Sequence, residues 1–436
     1  MNRKIAFKTL GCRLNQYETE ALASEFLRKG YELVPFNEKA DAYVINTCTV
    51  TNQSDRKSRY EINRAARRNP SSVVIVTGCM ANSAKEQLER QGNITYVVDN
   101  EHKHAVFSLL EAHFRGETAR PDTFDKDIFG FGLAEKTFHT RSFIKIQDGC
   151  DNFCTFCIIP FVRGRAESRP VQKILSNVKQ VVALGFREVV LTGVNIGRYD
   201  FEGTRFEQLI EKILDIPGNF RVRISSMEPE GFTERFFGLF AHPKLTPHLH
   251  LCLQSGSDQV LLRMRRMYTV SQFLGMMDQI RAFHPDFNFT TDIMVGFPGE
   301  TDKDFEQTCR VVQKAGFSHV HTFKYSVRKG TRAERMKGQI PEKIKTQRSE
   351  IIREISAENR IRYLQSMKGK EQTVLTEKIS SRTGRGYGEH YIPVELDLPG
   401  IKQNEFYRVV LTGVQYKKEP LLTGKPLEET WTEKPD

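Results

Sequence analysis

Residues 1–114 alternate short apolar runs with longer stretches in which apolar residues recur every three or four positions. The apolar runs predict β-strands at 5–10, 42–47, 73–77 and 96–98. The periodic stretches predict helices at 18–29, 55–68, 84–90 and 102–114. Strands that alternate with helices form βαβ units, whose strands run parallel. We therefore predict that residues 1–114 form an N-terminal α/β domain with a doubly wound parallel sheet.

The alternation resumes after residues 115–140, which have no sustained periodicity and which we interpret as a linker on the surface. Six further strands are predicted, at 143–147, 188–192, 221–225, 249–253, 289–295 and 320–325. Helices fit between them, for example at 170–184, 206–214, 270–283 and 302–315. Six parallel strands with crossover helices predict a partial (β/α)6 barrel rather than an eightfold one. With a long polar helix at 341–366, this second domain spans 141–366.

The C-terminal region, 367–432, changes to short strand-like runs. These runs lie at 372–376, 391–396 and 407–415, and we interpret Gly384, Gly386, Gly388 and Pro399 as the breaks around them. Short strands separated by turn residues predict a small all-β domain. The whole chain is thus predicted to be an α/β multidomain protein.

Composition narrows the class of protein. Hydrophobic residues make up 39% and charged residues 27% of the 436 positions, and no apolar run reaches the roughly 18 residues of a membrane span. No apolar leader is expected at the start, so secretion is not predicted. The formal net charge of +11 favours an acidic partner such as nucleic acid. Eight cysteines in a chain of this size favour metal or catalytic sulfur over a disulfide scaffold.

Cys150, Cys154 and Cys157 form a C-x3-C-x2-C motif after the first predicted barrel strand. Active sites of such barrels lie at the carboxyl ends of the strands. Three closely spaced thiolates can hold three irons of a 4Fe–4S cluster and leave the fourth iron open. A structural zinc site is the alternative, but it requires four protein ligands, and no second cysteine pair or nearby histidine completes this set. The motif therefore favours an open iron–sulfur cluster.

Cys12, Cys48 and Cys79 are far apart in the sequence, yet each follows a predicted strand of the N-terminal sheet. The carboxyl ends of parallel strands lie along one edge of a sheet. A single cysteine at such a position is more often buried packing than a ligand. Three in equivalent positions favour a common site, and we predict a second three-thiolate cluster there. The remaining two, Cys252 and Cys309, are interpreted as structural.

Polar residues and glycines also follow the later barrel strands. Gly193 and Asn195 lie after the second strand, where an ordinary βα turn is the alternative interpretation. Ser226, Gln254 and Asp292 follow later strands and are candidates to face the barrel mouth. Together these positions are typical of a ligand site at the mouth of a barrel.

The excess of basic residues lies largely outside the C-terminal domain. Residues 56–68 contain six basic residues and one acidic residue, and residues 328–370 contain thirteen and five. Residues 368–436 contain eleven of each sign. We expect a positive surface that runs past both cysteine sites and binds a phosphate backbone. For any single arginine, a solvated helix face is the alternative.

The cysteine motif, with Phe156 before its last cysteine, resembles that of the radical S-adenosylmethionine (SAM) enzymes. The resemblance implies that Cys150, Cys154 and Cys157 ligate a 4Fe–4S cluster whose open iron holds SAM. It also implies that Phe156 packs near the adenine of SAM, with core packing as the alternative.

The residues at the strand ends then become candidate SAM contacts, namely Gly193, Asn195, Ser226, Gln254 and Asp292. The sequence has Thr-Gly-Val-Asn at 192–195, where many radical SAM enzymes have Gly-Gly-Glu. The individual SAM contacts therefore stay open.

The three domains together resemble the methylthiotransferase family over essentially the whole chain. The resemblance implies that Cys12, Cys48 and Cys79 ligate an auxiliary 4Fe–4S cluster that supplies sulfur. It also implies that the C-terminal barrel is a TRAM-like RNA-binding module. The segments KTLGCRLNQYETE and INTCTVTNQSDRKSR resemble the branch that acts on N6-threonylcarbamoyladenosine beside the tRNA anticodon.

The activity implied is the addition of a methylthio group to C2 of that nucleoside, with the methyl group and the radical derived from SAM. Alternative substrates are N6-isopentenyladenosine in tRNA and an aspartate of a ribosomal protein. A non-catalytic Fe–S RNA-binding protein is the alternative from another class. Its clusters would normally have four protein ligands each, so two sets of three cysteines favour chemistry.

The resemblance also implies partners. These are the tRNA anticodon stem–loop and a flavodoxin- or ferredoxin-like electron donor, with no membrane partner and a cytoplasmic location. Arg163 and Arg165 are candidates to bind the carboxylate of the substrate nucleoside. Phe406, Tyr407 and Tyr391 are candidate stacking platforms for anticodon bases, with β-barrel core as the alternative.

Overall fold

The computed structural model describes residues 3–135 and 140–427. Residues 136–139 of the predicted linker and 428–432 of the predicted C-terminal domain lie outside the described residues. The described chain forms an α/β sheet unit, an open barrel and a closed β-barrel, in the predicted order.

The N-terminal unit is a five-stranded parallel sheet covered by helices. Its elements are β1 (Lys4–Thr9), α1 (Arg13–Arg28), β2 (Glu32–Leu33), β3 (Ala42–Thr47), α2 (Asn52–Arg68), β4 (Val73–Gly78), α3 (Cys79–Ser83), α4 (Lys85–Glu89), β5 (Tyr96–Val98) and α5 (Val106–Phe114). The strand order is β2-β1-β3-β4-β5, and every pair is parallel. This order reverses direction between β1 and β3, so a crevice opens at their carboxyl ends.

Helix α1 begins five residues before the predicted start at 18. Its backbone becomes helical directly after Cys12, which is the N-cap residue. Asn15 and Glu18 are buried although they are polar, so the first turns lack the apolar period by which the helix would be detected. The short strand β2 and the short helix α3 were not predicted either.

The second unit is a curved, open barrel of parallel strands. Its elements are β6 (Arg141–Lys145), β7 (Gln147–Asp148), α6 (Ile159–Arg163), β8 (Glu167–Ser168), α7 (Val171–Ala183), β9 (Glu188–Thr192), β10 (Asp200–Phe201), β11 (Thr204–Arg205), α8 (Phe206–Leu214), β12 (Arg221–Ile224), β13 (Ser226–Met227), α9 (Glu234–Gly238), β14 (His248–Leu251), α10 (Asp258–Met264), α11 (Val270–Phe283), β15 (Asn288–Val295), α12 (Asp302–Ala315), β16 (His319–Lys324) and α13 (Glu342–Ser366). The parallel strands follow one another as β6-β9-β12 and β13-β14-β15-β16. Strands β12 and β13 are separated only by Ser225 and together occupy one position in the barrel. The barrel therefore has six strand positions. Among the described strands β6 and β16 do not pair, so the predicted partial (β/α)6 barrel is confirmed.

The third unit is a closed five-stranded barrel with the order β17-β18-β19-β21-β20. Its strands are β17 (Glu371–Ile379), β18 (Thr383–Tyr387), β19 (Pro393–Asp397), β20 (Phe406–Gln415) and β21 (Leu421–Pro426). The small all-β domain is confirmed, but the interpretation of Gly384 and Gly386 as breaks is wrong, because both lie within β18. A Cβ at Gly386 would lie 1.8 Å from the Leu375 carbonyl oxygen, so glycine there allows two strands to approach closely.

The segment after α5 is more than a surface linker. Phe131 and Ala134 are buried, and the Phe131 ring packs edge-on against Tyr17 of α1 with centroids 6.0 Å apart. Lys145 in β6 donates to the Ile128 carbonyl at 2.7 Å. The described part of this segment therefore joins the core between the sheet unit and the barrel.

Within the residues that the structure describes, no helix combines the length and apolar character needed to cross a bilayer.

Candidate active site

The structure brings Cys12, Cys48 and Cys79 together at the carboxyl edge of three adjacent strands. Cys12 follows β1, Cys48 directly follows β3, and Cys79 follows β4 as the first residue of α3. Gly11 makes this close approach possible, because its φ is +98° and a Cβ there would lie 3.0 Å from the Cys48 sulfur. The set opens at the crevice between β1 and β3, with Cys12 exposed and the other two buried.

The second set, Cys150, Cys154 and Cys157, occupies a loop that is fixed at several points. The Cys150 amide donates to the Gly164 carbonyl at 3.2 Å. Thr155 donates its amide to the Met264 carbonyl at 3.1 Å and accepts a bond from the Ala333 amide at 2.8 Å. These contacts anchor the loop to the ends of α6 and α10 and to the segment before α13, so the three half-buried thiols are held close together.

Buried thiols in both sets have raised pKa values, mainly because burial disfavours the thiolate. Burial raises the pKa of Cys48 to about 11, Cys154 to about 11 and Cys157 to about 12, and neighbouring thiols of the same set add to each shift. Buried thiols that lie side by side resist ionisation. They become thiolates when a bound metal supplies positive charge. The chemistry of both donor sets therefore fits an iron–sulfur cluster.

Asn195 fits a polar ligand beside the second set. It is only 2% exposed, and neither its amide nitrogen nor its oxygen has a hydrogen-bond partner in the described part of the chain. Gln147 fixes the turn by accepting the amides of Val194 and Asn195 at 3.0 and 2.8 Å. The Asn195 side chain faces the Cys150 thiol and opposes the rise in its pKa that burial causes, so this side-chain amide is placed to bind a ligand such as SAM.

A cavity of about 720 Å³ lies where the three units meet. It is lined by Cys12 from the sheet unit, Gly193 and Ser226 from the barrel, and Tyr391 from the β-barrel. Arg141 at the start of β6 also lines it, so the cavity runs along the inside of the open barrel. A cavity of this size can hold a nucleoside.

The predicted cofactor contacts fall into two groups. Gly193, Ser226 and Asp292 line the cavity, whereas Gln254 is not among its lining residues. Gln254 is buried at φ +68°, and its amide donates to the Asp292 carbonyl at 2.8 Å. Phe156 packs edge-on against Phe297 at 6.3 Å beside a small apolar cluster, so core packing is at least part of its role.

The two arginines predicted to bind a substrate carboxylate have other partners. Arg163 is buried, and its guanidinium donates to Asp148 at 2.9 Å, Glu18 at 3.2 Å and Asn15 at 2.6 Å. Arg165 has a side chain that is 70% exposed and pairs with Asp151 at 2.8 Å. Neither arginine is among the residues lining the cavity, so the structure does not support this assignment.

The histidines His250 and His321 were missed by the sequence analysis. Both line the cavity, and His250 Nε2 lies 3.2 Å from an Asp292 carboxylate oxygen. Although burial opposes it, hydrogen bonding and charge from His250 lower the pKa of Asp292. The sequence pattern that could have revealed them is an H-x-H pair in each of β14 and β16. In a strand, this spacing places both histidines of a pair on one face.

The Cys252 side chain is buried next to the same carboxylate, with its sulfur 3.8 Å from an Asp292 oxygen. Together with His250 and Asp292 it offers three ligand atoms within 4.8 Å of one another. The hydrogen bond to Asp292 gives the buried thiol a polar partner. This agrees with the prediction that Cys252 has a structural role.

The aromatic residues predicted as stacking platforms are partly buried and have partners within the molecule. Tyr391 forms part of the cavity wall and packs against His248 at 4.9 Å. Phe406 faces the Arg221 guanidinium at 5.4 Å, and the Tyr407 hydroxyl accepts the Lys402 amide at 2.9 Å. An aromatic ring of this unit that does face solvent is that of Tyr416, at 65% exposure.

The chain matches two known protein families and is similar to several known proteins over most of its length. Residues 4–99 match the family described as Uncharacterized protein family UPF0004, and residues 144–312 match the Radical SAM superfamily. A threonylcarbamoyladenosine tRNA methylthiotransferase MtaB of Thermotoga maritima is 37% identical over 411 residues, 93% of this chain and 94% of that protein. A tRNA-2-methylthio-N(6)-dimethylallyladenosine synthase of Cereibacter sphaeroides is 32% identical over 423 residues, 94% of this chain and 96% of that protein.

A solved structure shares the fold. The radical S-adenosylmethionine methyltransferase TsrM from Kitasatospora setae, with tryptophan and a SAM analog bound, gives a TM-score of 0.53 at 14% identity. The match covers 74% of this chain and 73% of that one.

Proposed function

The chain belongs to the tRNA methylthiotransferase family of radical SAM enzymes, and we propose that it adds a methylthio group to C2 of N6-threonylcarbamoyladenosine beside the tRNA anticodon. The observation that carries this proposal is the shared cavity. Cys12 of one three-thiol set and the strand ends beside the other set line the same space. One incomplete ligand set opens on a substrate-sized cavity, and the other lies next to the turn at Asn195, just past the cavity-lining Gly193. This arrangement supports two reactive irons rather than two closed structural clusters.

The cofactors follow from the two donor sets. Cys150, Cys154 and Cys157 would hold one 4Fe–4S cluster, and Cys12, Cys48 and Cys79 the other, each with one iron lacking a protein ligand. When bound, these clusters and SAM supply the radical, methyl and sulfur chemistry that an unreactive aromatic C–H bond requires.

The protein's own residues position the reactants. Asn195 lies beside Cys150 and offers a buried side-chain amide, and Gly193 lines the cavity. The cavity walls enclose an unstacked base, since a base must leave its stack before an enzyme can reach C2. Glu18, Asp148 and Arg163 form a buried ion cluster between the two cysteine loops, which holds these loops at a fixed separation.

The threonylcarbamoyl substrate is favoured over isopentenyladenosine by the names of the more similar relatives. Matches at 36–38% identity carry the former name, and the isopentenyl-type synthases match at 31–32%. We also propose a cytoplasmic location, where tRNA is modified, and a flavodoxin- or ferredoxin-like donor, because cluster reduction requires an external electron.

Nucleoside mass spectrometry tests the activity. We expect tRNA from a deletion strain to lack 2-methylthio-N6-threonylcarbamoyladenosine and to regain it when the wild-type gene is restored. Cys154→Ala and Cys48→Ala should each fail to restore it, whereas Cys309→Ala, outside both sets, should succeed. Loss of the methylthio-isopentenyl nucleoside instead would support the alternative substrate. Unchanged tRNA nucleosides would support the ribosomal-protein substrate or the non-catalytic alternative.

A further inference from the structure

Arg13 is a cation at the cavity whose charge is not neutralised. It follows Cys12 directly and lines the 720 Å³ cavity. Among the described residues, the only hydrogen bond of its guanidinium is a long one, 3.4 Å, to the Tyr391 hydroxyl. Its guanidinium lies 5.9 Å from the centre of that ring, and no carboxylate within the described chain forms an ion pair with it. Arg13 is therefore free to bind an anion.

The acidic residues near Arg13 are already paired. Asp292 contacts His250 at 3.2 Å, and Glu377 pairs with Arg141. Both line the same cavity. Each of these carboxylates therefore has a partner of its own, and neither forms an ion pair with Arg13.

A second cavity, of about 520 Å³, lies on the other side of Arg13. Arg13, His250, His321 and Tyr391 line both cavities, so the two spaces share a wall. The second cavity is further lined by Arg360, His319 and the exposed Glu419, its one acidic lining residue. This space is rich in donors and suits a polar, negatively charged group.

Arg360 shows that positive charge in the second cavity is also uncompensated. Its Nε is buried without a hydrogen-bond partner among the described residues, and its Nη2 donates only to the Pro420 carbonyl, at 3.1 Å. Burial lowers the pKa of Arg360, as expected for a cation that lacks a close counter-ion. A bound anion would supply one.

The substrate chemistry fits this arrangement. In adenine, C2 and the carbon that carries N6 are both bonded to N1, so a group on N6 is close to C2. If C2 faces the sulfur site at Cys12, the N6 substituent lies near the next residue in the chain. A threonylcarbamoyl substituent ends in a carboxylate, whose planar geometry an arginine can match with two hydrogen bonds.

We propose that Arg13 binds the carboxylate of the N6-threonylcarbamoyl group, which extends toward the second cavity. Arg13 thereby selects this nucleoside over one with an uncharged N6 substituent. The inference rests on the proposed function and names the residue that sets its specificity.

The test compares two anticodon stem–loop RNAs, one carrying N6-threonylcarbamoyladenosine and the other its methyl ester, which lacks the negative charge. Cluster-loaded wild type, Arg13→Gln and Arg13→Lys are assayed for kcat/KM by nucleoside mass spectrometry and for Kd by fluorescence anisotropy. Wild type should prefer the acid by about 10- to 100-fold, the range of a charged hydrogen bond. Arg13→Gln should lose that preference by weakening only the acid, and Arg13→Lys should retain part of it. Lys29→Gln, at the exposed end of the same helix, should match wild type.

Two outcomes would overturn the inference while wild type stays active. One is an Arg13→Gln variant that still prefers the acid. The other is an equal loss on both RNAs, which would indicate a structural role and would be accompanied by altered iron content or circular dichroism. If wild type methylthiolates neither RNA, the proposed function fails, and this inference fails with it.

Discussion

Gly149 shows how one residue without a side chain shapes the cysteine loop. It lies directly before Cys150 at φ +68°, a conformation that L-residues rarely adopt. A Cβ there would lie 1.8 Å from the Arg165 carbonyl oxygen. After the cysteine loop, the chain passes close to Gly149 at Arg165. This close approach leaves room only for glycine at position 149.

Gly149→Ala should displace the cysteine loop. The left-handed backbone alone costs about 1–3 kcal/mol, and the clash with a carbonyl cannot be relieved by a side-chain rotation. We expect iron in the anaerobically purified protein to fall from about eight to about four per chain, because one of two clusters is lost. Gly185→Ala is the control, since Gly185 also has positive φ but has open space around it; it should retain about eight irons. A Gly149→Ala protein with full iron content would contradict this view of the loop.

At the scale of elements, helix α1 joins the sheet unit to the barrel through a charged contact. Glu18 is fully buried and faces Lys103 of its own unit and Lys145 and Arg163 of the barrel. Burial opposes ionisation, but Arg163 and the two lysines hold the pKa of Glu18 well below its usual value. A buried ion cluster of this kind specifies how two elements dock, because each charge must meet its partner.

Glu18→Gln should destabilise the protein strongly, because Lys103 loses its ion pair and Lys145 and Arg163 keep only Asp148 as a counter-charge. Breaking a buried pair costs about 3–5 kcal/mol, measured as the change in the free energy of unfolding in urea. Glu25→Gln, half-buried on the same helix, is the matched control and should change stability by about 0.5 kcal/mol or less. Equal effects of the two substitutions would show that the cluster does not join the units.

At the scale of the whole molecule, Glu188 connects the barrel with the C-terminal domain. Its carboxylate pairs with Arg221 and Arg223 of β12 and with Arg141 of β6. The same arginines reach the β-barrel, where Arg221 donates to the Thr373 carbonyl at 2.9 Å and Arg141 contacts Glu377. The docking of the third unit therefore depends on one buried negative charge.

The pH dependence of stability should report this charge. Despite burial, Arg221 and the other arginines hold the pKa of Glu188 well below the ordinary 4.5. A group whose pKa is lowered by folding stabilises the protein above the unfolded-state pKa and loses that contribution as pH falls through the folded-state value. We expect the wild-type unfolding free energy to drop below pH 4.5 more steeply than that of Glu188→Gln. Parallel pH profiles of the two proteins, recorded by thermal or urea unfolding, would contradict the assignment.

Much of the architecture could be predicted because it depends on local patterns. The strands β3, β5 and β9 match their predicted ranges, since strands buried on both faces form unbroken apolar runs. Strand β18 could not be found in this way. Its glycines look like turn residues in the sequence, and only tertiary contacts explain them: β17 approaches Gly386, and the Ile401 side chain packs against Gly384.

The two cysteine groups could be identified from the sequence because each has a local signature, a fixed spacing in one case and a common position after a strand in the other. The partners of charged residues have no such signature. Arg163 follows the cysteine loop and was assigned to the substrate, yet it pairs with Glu18, 145 positions earlier in the chain. Arg13 lies beside Cys12, but the sequence did not predict a role for it.

The sequence by itself therefore determined the order of the three units and the residues capable of holding metal, because strand pattern and cysteine spacing act over short distances. The tertiary structure decided which cations are neutralised and which face a cavity. That distinction depends on which carboxylates other domains bring within a few ångströms, and on the burial that makes each pairing strong or costly.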